Sequence, residues 1–229
     1  MNIIKKIADN NRDNTKNPPV TIAFLGDSVT QGCFRIHTDY KAVYHRLVAE
    51  SLNTLFPSAV INIINAGIGG TTADFAVERL ERDVISKNPD LCVVCFGLND
   101  VGGLEEGLLK YETSLKSIFN SLKQSGCEVI FMTPNMLNTA ITDVIPTQYK
   151  DYAEVTLKWQ NNGLMDKYME TAKKTSLECG IPVCDCYERW KKLALAGADT
   201  NLLLSNGINH PTREMHKLFS ISLLETMFS

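Results

Sequence analysis

The sequence predicts an α/β fold, a three-layer α/β/α sandwich built on a five-stranded parallel sheet. Two observations carry that expectation. Five short runs, residues 20–25, 60–64, 91–96, 128–133 and 181–184, are rich in β-branched and aromatic side chains and bounded by Gly, Pro or Asn. A strand with one wet face alternates, whereas a nearly continuous apolar run is how a strand covered on both faces of a parallel sheet reads. Helical patterns fill the intervals, over residues 40–55, 72–86, 108–125, 149–179 and 212–228. Strands alternating with helices imply right-handed crossovers and parallel pairing.

Taken in order, residues 1–19 read as an N-terminal extension and residues 20–229 as a single domain, because 229 residues are long for one domain and short for two. The pattern over 149–179 is long, and Gly163 offers a place for it to break. The last pattern opens at Pro211 and Thr212 with Glu214 just behind, a good helix start. The stretch PNMLNTAITDVIPTQ, residues 134–148, is expected as an irregular loop over one end of the sheet, with Asn135 and Met136 lining a site. Five strands linked this way suggest a flavodoxin-like order, 2-1-3-4-5.

Ligands of such sheets bind beyond the carboxyl ends of the strands, so the residues leaving those ends carry the functional information. The first strand ends in GDSVTQG (26–32), the second in NAGIGGTT (65–72) and the third in GLND (97–100). Three consecutive strands therefore deliver Ser28, a glycine pair, Asn99 and two acids to one rim. A serine on a strand-to-helix turn sits among outward-pointing N–H groups that can stabilise an oxyanion. As a lone feature Ser28 would be an ordinary helix cap. Its neighbours make it a candidate nucleophile, which requires a base. Of the four histidines, His210 lies on a turn-rich segment, LLLSNGINHPTREMH (202–216), that enters the last helix and can present an imidazole to the rim. His45 reads as a helix-surface residue, and His216 as a residue that packs or faces solvent. Asp27 and Asp100 read as braces of their loops, since a carboxylate beside a forming oxyanion would repel it.

These four segments resemble the blocks of the SGNH hydrolases, the GDSL-type esterase/lipase family. GDSVTQG is similar to the first block, NAGIGGTT to the second, GLND to the third and NGINHPT (206–212) to the last, in family order and across nearly the whole domain. The resemblance implies the SGNH hydrolase fold, Ser28 as nucleophile, His210 as base, and an oxyanion hole of the Ser28 and Gly70 N–H groups with the Asn99 side chain. It further implies a serine esterase of small carboxylic esters, acetyl groups on carbohydrates among them, working without cofactor or metal. One position departs from the pattern. The family's last block has an aspartate three residues before its histidine, and Gly207 stands there. A backbone carbonyl, Asn206, Asn209 or Asp199 is left to orient His210.

Composition narrows the remaining classes. The chain is 44% apolar and 21% charged with a net charge of −3, and no basic run is long enough for nucleic acid or an anionic membrane. A small-molecule ester is the expected partner. No apolar window reaches a membrane span, the start lacks a signal-peptide pattern, and the seven cysteines sit in apolar contexts, so a cytoplasmic protein is expected. Cys92 and Cys95 have C-x-x-C spacing, but a strand sends them to opposite faces, so they read as buried small hydrophobes. Two other readings are a flavodoxin-like phosphate- or nucleotide-binding module and an inactive SGNH-fold binding protein. The first lacks the G-x-x-x-x-G-K-[ST] and G-x-G-x-x-G fingerprints, and the alternative serine-hydrolase signature, G-x-S-x-G, is also missing.

Overall fold

A computed structural model describes residues 1–35 and 37–229. Its sheet has five strands: β1 (Val20–Gly26), β2 (Ile61–Gly67), β3 (Leu91–Cys95), β4 (Glu128–Met132) and β5 (Val183–Cys184). They pair in parallel in the order β2-β1-β3-β4-β5, as the run-and-helix pattern predicts. The core strand β3 is buried at every position, which explains its uninterrupted apolar run. Cys92 and Cys95 are both fully buried.

Helices cover both faces. On one side α3 (Tyr44–Leu55) packs on α9 (Arg213–Phe228), with α1 (Asn2–Arg12) and α8 (Cys186–Leu195) also against α9. On the other, α4 (Ala73–Asp83), α5 (Leu108–Gln124) and α7 (Leu164–Glu178) lie side by side, with α6 (Lys150–Asn161) next to α7. The long pattern over 149–179 is thus two helices, parted at Gly163, whose φ of +78° ends the first. Helix α3 starts at Tyr44, four residues later than its pattern suggests.

Residues 1–19 contain α1, whose Ile3 and Ile7 lie one turn apart and are fully buried in the main core. Burying an isoleucine side chain contributes about 1.5–3 kcal/mol. The buried Asn10 fixes this segment to the sheet: its amide nitrogen donates to the Asn17 and Pro18 carbonyls at 2.8 and 2.9 Å, and its oxygen accepts the Val60 N–H at 2.7 Å.

The register sets up the functional rim. Gly26 pairs with Gly67 on one side and Cys95 on the other, so β2, β1 and β3 finish level. The four-residue helix α2 (Ser28–Gln31) then folds tightly over the ends of β1 and β2. A Cβ at Gly67 would stand 2.2 Å from the Gln31 nitrogen, so only glycine lets α2 lie this close. Below the rim, the buried guanidinium of Arg79 donates to the Ala66 carbonyl at 2.7 Å and the Gly26 carbonyl at 3.0 Å. It ties together the ends of the two strands that lead to Ser28 and Gly70.

Candidate active site

Ser28 is the first residue of α2, and Asp27 caps it, its Oδ1 accepting the Val29 N–H at 2.9 Å. That is the brace expected of Asp27. The turn holds Ser28 at the rim with its hydroxyl facing the loop before α9. There His210 Nε2 lies 2.9 Å from Ser28 Oγ, closing a separation of 182 residues in sequence.

The loop that carries His210 is heavily bonded. Asn206 Oδ1 accepts the N–H groups of Ile208, Asn209 and His210, each at 3.0 Å. The His210 carbonyl accepts from Ser205 N at 2.7 Å, and Asn135 Nδ2 donates to the Asn209 carbonyl at 2.9 Å. Asn135 and Met136 are buried behind this loop and do not line the cavity, contrary to the expectation from their place in the chain. Residues farther along do: Pro146, Tyr149 and Tyr152 form one wall. The irregular segment turns inward first and reaches the rim only at its end.

The other imidazole nitrogen, Nδ1, meets the backbone carbonyl of Phe34 at 3.1 Å. Of the four groups left open for this position, the backbone carbonyl occupies it. Asp199 instead caps a single 3-10 turn (Thr200–Leu203), accepting from Asn201 N at 2.9 Å. Asn206 is engaged with the loop backbone, and Asn209 Oδ1 accepts from Asn206 Nδ2 at 2.9 Å. With Nδ1–H donated to Phe34, Nε2 is left as the basic nitrogen facing Ser28. Burial lowers the pKa of His210 below its ordinary value, opposed by the Phe34 bond, which favours the cation. The imidazole is therefore neutral near pH 7 and free to accept a proton.

Gly70 and Asn99 line the same cavity as Ser28 and His210, a space of about 380 Å³. Asn99 Nδ2 donates to the Thr71 carbonyl at 2.9 Å, leaving its second amide hydrogen free. Gln31 Oε1 accepts the Gly69 N–H at 2.7 Å and so fastens the glycine turn to α2. Among the described residues, neither the Ser28 N–H nor the Gly70 N–H meets a protein acceptor. Asp100 accepts the Ala73 N–H at 2.8 Å, the loop brace expected of it.

Two other histidines are buried in the core. His216 is fully buried and accepts the Tyr44 N–H at 3.2 Å. His45, expected on a helix surface, is buried instead, with Nε2 3.1 Å from the Thr30 carbonyl and its ring against Phe24. The reason is that α3 presents this turn to the sheet and to α2. Burial pushes their pKa values down to about 4 for His45 and about 3 for His216. Arg79 and Phe34 are the site-supporting residues that spacing did not reveal, since one acts from below the rim and the other through its backbone.

A model of the GDSL-like lipase/acylhydrolase family matches residues 24–218. Among characterised relatives, an acetylxylan esterase of Geobacillus stearothermophilus is 30% identical over 129 residues, covering 49% of this chain and 58% of that protein. The uncharacterized lipoprotein YqeF of Bacillus subtilis (strain 168) is 24% identical over 207 residues, 83% of this chain and 80% of its own. The crystal structure of Axe2, an acetylxylan esterase from Geobacillus stearothermophilus, superposes with a TM-score of 0.70 at 23% identity, over 90% of this chain and 93% of that one. A two-domain esterase (CEX) active on acetylated mannans gives 0.71 at 22% identity, over 98% of this chain and 52% of that one. Solved catalytic mutants of Axe2 replace a serine, a histidine and an aspartate, the last two three positions apart. The match to the family model spans the serine turn, the glycine and asparagine loops and the histidine loop, and the chain belongs to the GDSL-like lipase/acylhydrolase family.

Proposed function

We propose that the protein is a serine esterase that removes small acyl groups, acetyl first among them, from carbohydrate hydroxyls, using Ser28 and His210 with an oxyanion hole of Ser28 N–H, Gly70 N–H and the Asn99 amide. The observation that carries this reading is the 2.9 Å contact between Ser28 Oγ and His210 Nε2, with Nδ1 already committed to Phe34. In the first step His210 takes the hydroxyl proton while Ser28 attacks the ester carbonyl. The negative charge forms among the three donors and is stabilised by them. His210 then protonates the departing alcohol, leaving an acyl group on Ser28. Water, activated by the same imidazole, releases the acid and regenerates the hydroxyl.

The substrate class rests on the cavity and on the relatives. About 380 Å³ accommodates a short acyl group with part of a sugar ring. Tyr149 and Tyr152 provide aromatic surface on which a sugar face can lie, and Asn206 and Asn209 line the same mouth. Relatives include an acetylxylan esterase and an esterase active on acetylated mannans. The seven cysteines, all free among the described residues, support a reducing, cytoplasmic setting. No helix among the described residues is long and apolar enough to cross a membrane.

The test is a panel of acetyl, butyryl and octanoyl esters together with acetylated xylo- and manno-oligosaccharides, assayed with the native protein and Ser28→Ala. Acetylated sugars should be turned over fastest, and Ser28→Ala should abolish turnover of every substrate with the fold intact. Activity retained within a few-fold in that variant would refute the serine assignment, and a preference for octanoyl esters would refute the carbohydrate assignment.

A further inference from the structure

A backbone carbonyl can orient a catalytic histidine only if the loop carrying it is held still. Phe34 sits on such a loop, between α2 and α3. Within the loop, Cys33 and Thr38 form an antiparallel bridge, Phe34 N donates to the His37 carbonyl at 3.0 Å, and Asp39 N donates to the Gly32 carbonyl at 2.9 Å. These bonds close the loop on itself but do not fasten it to His210.

Helix α9 does. The guanidinium carbon of Arg213 lies 4.6 Å from the centre of the Phe34 ring. Arg213 Nε and Nη2 reach Asp39 Oδ2 at 3.0 and 2.9 Å, and Nη2 also donates to His37 Nε2 at 3.3 Å. Arg213 thus grips the loop at three residues, on both sides of the Cys33–Thr38 bridge. One turn further along α9, the buried His216 ring packs on the Phe34 ring with centroids 5.1 Å apart. His210 precedes Arg213 by three residues, so the imidazole sits on the loop that leads directly into the helix carrying the clamp on its hydrogen-bond acceptor. The charge on Arg213 is matched by Asp39, so the clamp adds little net positive charge beside the imidazolium that forms during attack.

We propose that Arg213 is a positioning residue for catalysis: by holding Phe34, Asp39 and His37 together it keeps the Phe34 carbonyl on His210 Nδ1, in the place where the family has a carboxylate. This proposal rests on the Ser28–His210 reading. A carbonyl stabilises the imidazolium less than a carboxylate does, so more depends on its placement.

The test uses Arg213→Ala, Arg213→Lys and Asp39→Ala, with p-nitrophenyl acetate kinetics over a wide pH range and labelling by a fluorophosphonate. Arg213→Ala should lower kcat about 10-fold, as small misplacements of a catalytic group do, with KM little changed. Its acid limb of kcat/KM should also move to lower pH, because the carbonyl that favours the imidazolium is no longer held. Arg213→Lys, which keeps the charge over Phe34 and beside Asp39, should recover part of the loss. Asp39→Ala should lower kcat in the same direction and add little to Arg213→Ala. An unchanged kcat, an unmoved limb, or a rise in KM alone overturns the clamp. If Arg213→Ala does not fold, the limb measured in Arg213→Lys and Asp39→Ala decides in the same way. Native protein that neither hydrolyses the ester nor labels at Ser28 sinks the serine reading itself, whereas native protein that labels at the same rate as Arg213→Ala sinks only the clamp.

Discussion

The Phe34 carbonyl stands 3.1 Å from His210 Nδ1, at the point where an acidic side chain would complete a triad. The glycine at the family's acid position explains why none does. Gly207 has φ of +69°, and a Cβ there would meet Ile145 Cγ1 at 2.7 Å and Val144 Cγ2 at 2.8 Å. An aspartate would be strained and would press into residues 142–145. Gly207→Asp should therefore destabilise the fold by about 2 kcal/mol, a fall in Tm of about 4–8 °C, without raising kcat. A variant of native stability with faster turnover would show that the triad can be restored and that the backbone carbonyl is a poor substitute.

Burial lowers the pKa of His210, and the proposed mechanism requires the neutral base. The acid limb of kcat/KM should accordingly have its midpoint below 6.5, the ordinary value for histidine. A midpoint above 6.5 would mean that an anionic group faces the imidazole, contrary to the arrangement around Phe34.

Asn99 donates one amide hydrogen to Thr71, and in the proposed mechanism the other meets the oxyanion. Asn99→Ala should lower kcat about 10²–10³-fold, with KM changed far less, because the lost bond forms only as charge develops. An equal effect on KM would indicate that Asn99 binds the ground state.

Two buried acids and two buried histidines pull stability in opposite directions as pH changes. Burial raises Asp27 and Asp100 from 3.8 to about 7, so each is protonated in the fold but ionised in the unfolded chain between those values. Stability from these groups is complete below pH 3.8 and is lost as pH rises to about 7, about 4 kcal/mol apiece at full extent. His45 and His216 are lowered from 6.5, so their contribution is complete above 6.5 and is lost as pH falls toward 4 and 3. The opposing slopes should leave the native protein nearly flat between pH 4 and 6.5. Asp27→Asn with Asp100→Asn should unmask the histidines, giving stability that climbs with pH across that window in urea titrations. A double variant whose profile overlays the native one would mean that both carboxylates are ionised in the fold.

The strand order was legible because covered strands leave continuous apolar runs, and the meeting of Ser28, Gly70 and Asn99 at one cavity because polar residues and glycines sit together at the strand ends. The path of the loops was not. Asn135 and Met136 follow β4 directly, yet that loop runs behind the histidine segment before Tyr149 and Tyr152 reach the cavity. The buried state of His45 depends on where α2 lies, a contact made by Thr30 from a four-residue helix with no periodicity to detect. Helix α1 was more accessible, since Ile3 and Ile7 are spaced one turn apart, but the surrounding polar residues masked them. The acceptor for His210 Nδ1 is a backbone atom and leaves no trace in residue type at all.

The pairing of Ser28 with His210 is tested most directly by fluorophosphonate labelling of the native protein, followed by mass spectrometry of the modified peptide. Label should appear on Ser28 alone, and His210→Ala should slow its attachment by several orders of magnitude while Asp199→Ala leaves it unchanged. Label on another residue, or labelling of Ser28 at the same rate without the imidazole, would contradict a serine activated by His210.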